Sequence, residues 1–149
     1  MRSFVQRGGR VVAVEAATEF VAELLGLEVR DATSAHANTD FYIPGSILRV
    51  ELTSGSDVAA GLDGEVAAWF WGSSRAFDVD DDRVRVLARY GSGDPLLSGW
   101  ALGGELLSGA PAILEADIGA GSVVLFGFQP NYRAQTVGTW PLLFNSMRQ

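Results

Sequence analysis

The sequence predicts an α/β fold, and three observations predict it. A continuous apolar run, Val11-Val12-Ala13-Val14, is followed from Thr18 by a segment with helical spacing. From Val66 to Tyr90 the chain alternates and breaks at Asp and Gly in the manner of short strands. Around Trp140 the apolar residues return to a helical period. The 149 residues fit one domain spanning 1–149, and 48% hydrophobic against 19% charged residues is the balance of a packed core, not of a disordered or membrane-spanning chain.

At the start, Phe4, Val5, Arg7 and Gly8 read as the last turn of a helix and its cap, which suggests the carboxy-terminal piece of something longer or a shortened relative of it. The run 11–14 reads as a strand covered on both faces. Thr18 opens a helix whose apolar face is Phe20, Val21, Leu24 and Leu25, and Gly26 closes it. Residues 31–45 are turn-rich and read as a loop, and Ile47 to Leu52 alternates like a half-buried strand. Strands follow at Val66–Trp71, Ala76–Val79 and Arg83–Tyr90. Leu96 to Leu107 reads as a short irregular helix, because Leu102, Leu106 and Leu107 have helical spacing while Gly99, Gly103 and Gly104 interrupt it. Ala112–Asp117 and Ser122–Phe128 flank Ile118-Gly119-Ala120-Gly121 as a β-hairpin, with 123–126 its most buried part. The last helix carries Val137, Trp140, Phe144 and Met147 as one apolar stripe, with Pro141 in its first turn and Thr139 as N-cap.

Composition removes several chemistries. The net charge is −7 and the eleven basic residues, all Arg, are scattered, so no nucleic-acid partner is expected, and no membrane partner either. Without Cys there is no disulfide, thiolate metal site or cysteine nucleophile. Without Lys there is no phosphate-binding P-loop, and no G-x-S-x-G elbow occurs. The glycine clusters 91–93 and 119–121 lack the third dinucleotide-binding glycine and read as turns. Asp78, Asp80, Asp81 and Asp82 resemble a calcium loop only in part: Arg83 stands where the turning Gly belongs and Arg89 where the bidentate Glu belongs, so a solvated turn is expected. One His and no Cys make a zinc site unexpected; neither metal nor cofactor is anticipated. No export signal precedes Glu15, which leaves the cytoplasm as the default compartment if Met1 is the native start.

His36 is the one side chain suited to proton transfer near neutral pH, and Asp31, Ser34 and Asp40 are close in sequence. Neighbours in one loop rarely converge as a triad. Glu51, Glu65, Glu105 and Glu115 show no spacing that favours a catalytic pair. Among the aromatics, Trp69 and Trp71 share one strand face and Phe70 the other, so a helix, a further domain or a partner must cover one of them. A ligand-binding or hydrolytic reading uses the loop residues His36, Asp40 and Tyr42 together with Gln129, Asn131, Tyr132, Arg133 and Gln135 beyond the end of a strand, where Arg133 would clamp a carboxylate or phosphate. The plainer alternative is that Arg133 and Gln135 fasten the last helix to a neighbouring loop.

Four ordered blocks carry a family resemblance: 10–14 with the helix ending 24–27; Pro44-Gly45-Ser46-Ile47-Leu48-Arg49-Val50; Asp94-Pro95-Leu96-Leu97-Ser98-Gly99-Trp100; and 124–130 with 133–136 and 142–145. Together they resemble the carboxy-terminal glutamine-amidotransferase-like domain attached to bacterial zinc carboxypeptidases. That resemblance implies a flavodoxin-like or amidotransferase-like three-layer α/β sheet with extra β-hairpin structure, lacking its amino-terminal elements, and places peptidase chemistry in a separate domain. His36 is followed by Ala37, Asn38 and Thr39, not by the H-x-x-E of that zinc site, and the turn matching the amidotransferase nucleophile reads Glu15-Ala16-Ala17. The leading expectation is therefore a noncatalytic accessory or oligomerisation domain that packs on a peptidase-like domain or on its own copy, with Trp69, Phe70 and Trp71 at the interface.

Overall fold

The computed structural model describes residues 1–148. Its elements in chain order are α1 (Arg2–Gln6), β1 (Arg10–Val14), α2 (Ala17–Leu25), β2 (Val29–Asp31), β3 (Ser46–Leu52), β4 (Glu65–Phe70), β5 (Phe77–Val79), β6 (Val84–Tyr90), β7 (Leu96–Ser98), β8 (Pro111–Ile118), β9 (Gly121–Phe126) and α3 (Trp140–Ser146), joined by short 3-10 turns. The main sheet has the order β1-β9-β8-β6-β3-β4, with β7 also paired to β3, and β2 and β5 form a separate two-stranded ribbon. Among the described residues only β1 and β9 run parallel, with Ala13 opposite Leu125 and Val14 opposite Phe126. The other pairings are antiparallel, including the expected hairpin β8–β9, whose turn uses Gly119 at φ 65°.

The sheet is covered on both faces, as the α/β expectation requires. On one, Ala13, Leu114, Val123 and Leu125 meet Val21, Ala22 and Leu25 of α2 and Phe77 of β5. On the other, Ile113, Val124 and Phe126 join Leu48, Phe70, Tyr90 and Leu142, the last supplied by α3. Burying each such Leu or Phe contributes about 1.5–3 kcal/mol. The open apolar run of β1 is thus explained: alternate residues feed alternate cores.

Three expectations are corrected. In α2 the buried set is Thr18, Val21, Ala22 and Leu25, while Phe20 is 62% exposed. Two residues beyond Thr18 is 200° around the helix, so Phe20 points away from the sheet. Around α3 three residues of the apolar stripe, Val137, Phe144 and Met147, face outward and the fourth, Trp140, is half-buried, while Thr139, Leu142 and Ser146 are buried. This inversion is inexpensive because the buried hydroxyls bond locally: Ser146 Oγ donates to the Leu143 carbonyl at 2.7 Å, and Thr139 Oγ1 lies 2.6 Å from the Thr136 carbonyl. Thr139 therefore serves as an internal tie and not as a side-chain N-cap. Finally, 96–107 contains β7 and a 3-10 turn at Gly104–Leu107 in place of a helix, since Gly99 and Gly103 take φ of 103° and 68°.

The two ends of the sheet differ. Along β4, the turn Val137–Thr139 lies against the strand, and the Tyr132 ring stacks on Trp69 at 4.8 Å and 2°. At the opposite end β1 is paired on one side only. Glu15 N–H bonds Phe126 O and Ser122 N–H bonds Gly9 O, so by alternation the main-chain groups of Arg10, Val12 and Val14 point off the sheet.

Candidate functional site

The turn from β1 into α2 is sharp, and Glu15 occupies it at φ 53°, a left-handed conformation unusual for a residue with a side chain. Its N–H donates to Phe126 O at 2.7 Å and its carbonyl accepts from the N–H and hydroxyl of Thr18 at 2.9 and 2.6 Å, which fixes the bend. The carboxylate is fixed as well. Trp71 Nε1–H donates to Glu15 Oε1 at 2.6 Å, and Ser74 Oγ donates to the same oxygen at 3.2 Å. A strand-turn-helix elbow is therefore present, and the residue at its bend carries a hydrogen-bonded carboxylate.

Beside this elbow is a cleft of about 500 Å³. Asp31, His36, Asn38 and Tyr42, from the end of β2 and the loop after it, line it together with Trp71, Ser74 and Arg75 from the turn after β4. The charged members are paired. Arg75 Nε lies 3.0 Å from Asp31 Oδ2 and 2.6 Å from Glu19 Oε1, and Asp31 Oδ1 accepts from the Thr33 N–H and hydroxyl at 2.8 and 2.6 Å. Beneath them Tyr90 is fully buried, its hydroxyl donating to the Arg75 carbonyl at 2.7 Å. Burial first, and then the negative charges of Asp31 and Glu15, push its pKa well above the usual tyrosine value, so Tyr90 remains a neutral donor.

Of the residues singled out from sequence, His36 and Tyr42 reach the cleft wall. Asp40 does not: its hydroxyl neighbour Thr39 donates to it at 3.3 Å, and its carbonyl packs close to Gly103. No side-chain hydrogen bond joins His36 to Asp31, Ser34 or Asp40 among the described residues; its ring lies 6.0 Å from that of Phe41. The segment 129–135 is elsewhere. Gln129 Nε2 donates to Asn131 Oδ1 at 3.4 Å, while Arg133 and Gln135 are exposed and form no side-chain hydrogen bond among the described residues. Neither one fastens α3; Asn145 does, its Nδ2 donating to the Val58 and Ala60 carbonyls at 3.1 and 2.9 Å, while Tyr132 lies 4.8 Å from Trp69 and 5.4 Å from Trp71.

The aromatic trio also separates. Phe70 is buried in the core against Phe41 and Tyr90, so it is not available to a partner, and this corrects its expected place at an interface. Trp69 and Trp71 are half-buried and covered in part by Tyr132 of the same chain. The aspartate run is a turn held by Asp81, whose carboxylate accepts from the N–H groups of Glu28 and Arg83 and pairs with the Arg83 guanidinium at 2.7 Å. The Arg83 contact holds the Asp81 pKa well below the usual carboxylate range. Among the described residues no group of three or more His, Asp or Glu side chains is arranged to hold a metal ion, and no helix is long and apolar enough to cross a membrane. Glu15, Ser74 and Arg75 were not singled out as site residues from sequence; only the position of Glu15 directly after an apolar strand was a signal.

The sequence matches no protein-family model and no curated protein. Solved structures do match. A candidate GMP synthase component from Thermoplasma acidophilum superposes with a TM-score of 0.59 at 12% identity, over 93% of this chain and 55% of that one. A candidate ThuA-like protein from Bacteroides uniformis gives 0.57 at 14% identity, over 98% and 60%. A β-galactosidase from Bacillus circulans sp. alkalophilus gives 0.59 at 15% identity, over 97% of this chain and 19% of that one. The chain thus spans between about a fifth and three-fifths of the length of these structures. At such identities the likeness concerns the fold alone: the chain has the mixed α/β fold of the glutamine-amidotransferase-like and ThuA-like proteins.

Proposed function

We propose that this chain is a noncatalytic accessory domain, of the kind appended to zinc carboxypeptidases, which packs through the outer edge of β1 against a peptidase-like domain or a second copy of itself. The observation that carries this reading is the edge itself: Arg10, Val12 and Val14 direct main-chain donors and acceptors away from the sheet along an otherwise apolar strand. Exposed Phe4 and Phe20 on α1 and α2 add apolar surface from the two helices next to β1 in sequence, and the outward stripe of α3 adds more. The engaged carboxylate of Glu15 supports the noncatalytic part. The β-galactosidase match, confined to a fifth of that chain, supports a domain of this fold serving inside a larger enzyme.

The test is the solution mass of the chain by light scattering, with binding of a hydrophobic dye. A dimer, or a dye-binding monomer that takes up a peptidase-like domain, is expected. Val12→Pro removes an outward N–H without touching the ladder to β9 and abolishes that association; Phe20→Glu, on an exposed site, weakens it without threatening the fold. A monomer that binds no dye sinks the reading.

A further inference from the structure

We propose that the cleft between the loop after β2 and the turn after β4 binds a neutral sugar ring. This rests on the cleft's own chemistry and is independent of the docking reading.

Charge comes first. Arg75 is engaged by Asp31 and Glu19, and Glu15 is held by Trp71 and Ser74, so the local balance of three carboxylates to one guanidinium repels anions. The carboxylates are each tied to a protein donor and do not gather around an empty point, which disfavours a bare cation. What remains is a set of polar side chains without a protein partner. His36, Asn38 and Tyr42 line the opening, are exposed, and carry no side-chain hydrogen bond among the described residues. The Asn38 amide and the Tyr42 hydroxyl both donate and accept, and the His36 ring carries a donor. A sugar hydroxyl does the same, so a ring bearing several hydroxyls matches these groups in one cleft lining, whereas an apolar ligand would leave them unpaired.

Shape and rigidity agree. The cleft volume is that of a small-molecule site. Trp71 belongs to the lining, and its indole is already oriented: its Nε1–H donates to Glu15, its backbone N–H donates to Ser74 Oγ at 3.1 Å, and the Tyr132 ring lies 5.4 Å from it at 43°. An indole locked in this way loses little entropy when the C–H face of a pyranose settles on it. At the rim, Tyr42 meets Trp100 edge to face at 6.2 Å, and both are about half exposed. Trp100 is presented from a rigid backbone, since its N–H donates to Ser46 Oγ at 3.0 Å and Ser46 Oγ donates to its carbonyl at 2.6 Å. Aromatic rings held out beside a polar cleft extend the platform for a second sugar unit.

The experiment titrates the full chain with D-galactose, D-glucose, D-mannose and their methyl β-glycosides to about 50 mM, followed by tryptophan fluorescence and calorimetry, with citrate and glycerol as charged and acyclic controls. Saturable binding of at least one hexose or glycoside is expected, with no binding of citrate. Asn38→Ala and Tyr42→Ala, both at exposed positions, weaken it about tenfold each, and Asp63→Ala, at an exposed position outside the cleft lining, leaves it unchanged. The proposal is overturned if no hexose saturates, if citrate binds more tightly than any sugar, or if Asn38→Ala and Tyr42→Ala bind as the parent does. Because association through β1 is read separately by mass, either idea can fail without the other.

Discussion

At β4 the sheet stops against its own chain, with Val137–Thr139 along the strand and Tyr132 flat on Trp69. At β1 it stops with the outward main chain of Arg10, Val12 and Val14 unpaired by any strand among the described residues. The contrast shows which end this chain completes for itself. The β4 end is finished by a segment that must return from β9, and that segment carries the backbone strain: Arg133 and Ala134 both hold positive φ, at 46° and 56°. The β1 strand is unstrained until Glu15, where the elbow begins.

Four measurements sharpen this contrast, from the largest effect to the smallest. Leu142→Ala removes the α3 side chain buried in the core, and a loss of about 2–5 kcal/mol in denaturant unfolding is expected. If the loss were below about 1 kcal/mol, α3 would not be fastening the β4 end. Tyr132→Ala uncovers Trp69 and Trp71 and should cost about 1–3 kcal/mol, with a change in tryptophan emission that a β1-edge variant such as Phe20→Glu does not produce. Ala134→Gly should stabilise by up to about 1 kcal/mol, because glycine takes the left-handed conformation without steric cost, offset in part by its freer unfolded chain. A clear destabilisation would mean that the turn is not strained.

The fourth measurement concerns acid. Arg83 lowers the folded pKa of Asp81, and Arg85 lowers that of Asp117. The unfolded chain then binds protons more readily than the folded one, so both groups stabilise above the ordinary aspartate value of about 3.9 and lose that contribution as the pH falls below it. Thermal melts from pH 6 down to about pH 2 should decline most steeply below about pH 4. Asp81→Asn should flatten the decline without altering either sheet edge; an unchanged profile would remove Asp81 from the account.

Much of the architecture was legible in the residues because strands announce themselves by what they bury. Val11–Val14, Ile47–Leu52 and Val123–Phe126 lie in strands as their patterns predict. The errors fell where two faces of a helix were both plausible. Period alone cannot distinguish the Phe144 side of α3 from the Leu142 side when Thr139 and Ser146 satisfy their own hydroxyls inside. The cleft was half legible. His36 and Tyr42 stood out as residue types, but Arg75 and Ser74 gain their meaning from Asp31 and Glu15, 44 and 59 positions away. Such meetings are set by how β4 and β1 end, which no local pattern encodes.

The left-handed pair at Arg133 and Ala134 also sets a clock. A turn held in an unfavourable conformation opens more often than the core beneath it. An opening that lifts Tyr132 from Trp71 removes one contact from a residue that also lines the cleft. The amides around 132–136 should therefore exchange with deuterated water faster than those of β9, and a molecule resting on Trp71 should slow them although it never touches that turn. The tempo of a surface bend thus becomes a remote reporter of cleft occupancy.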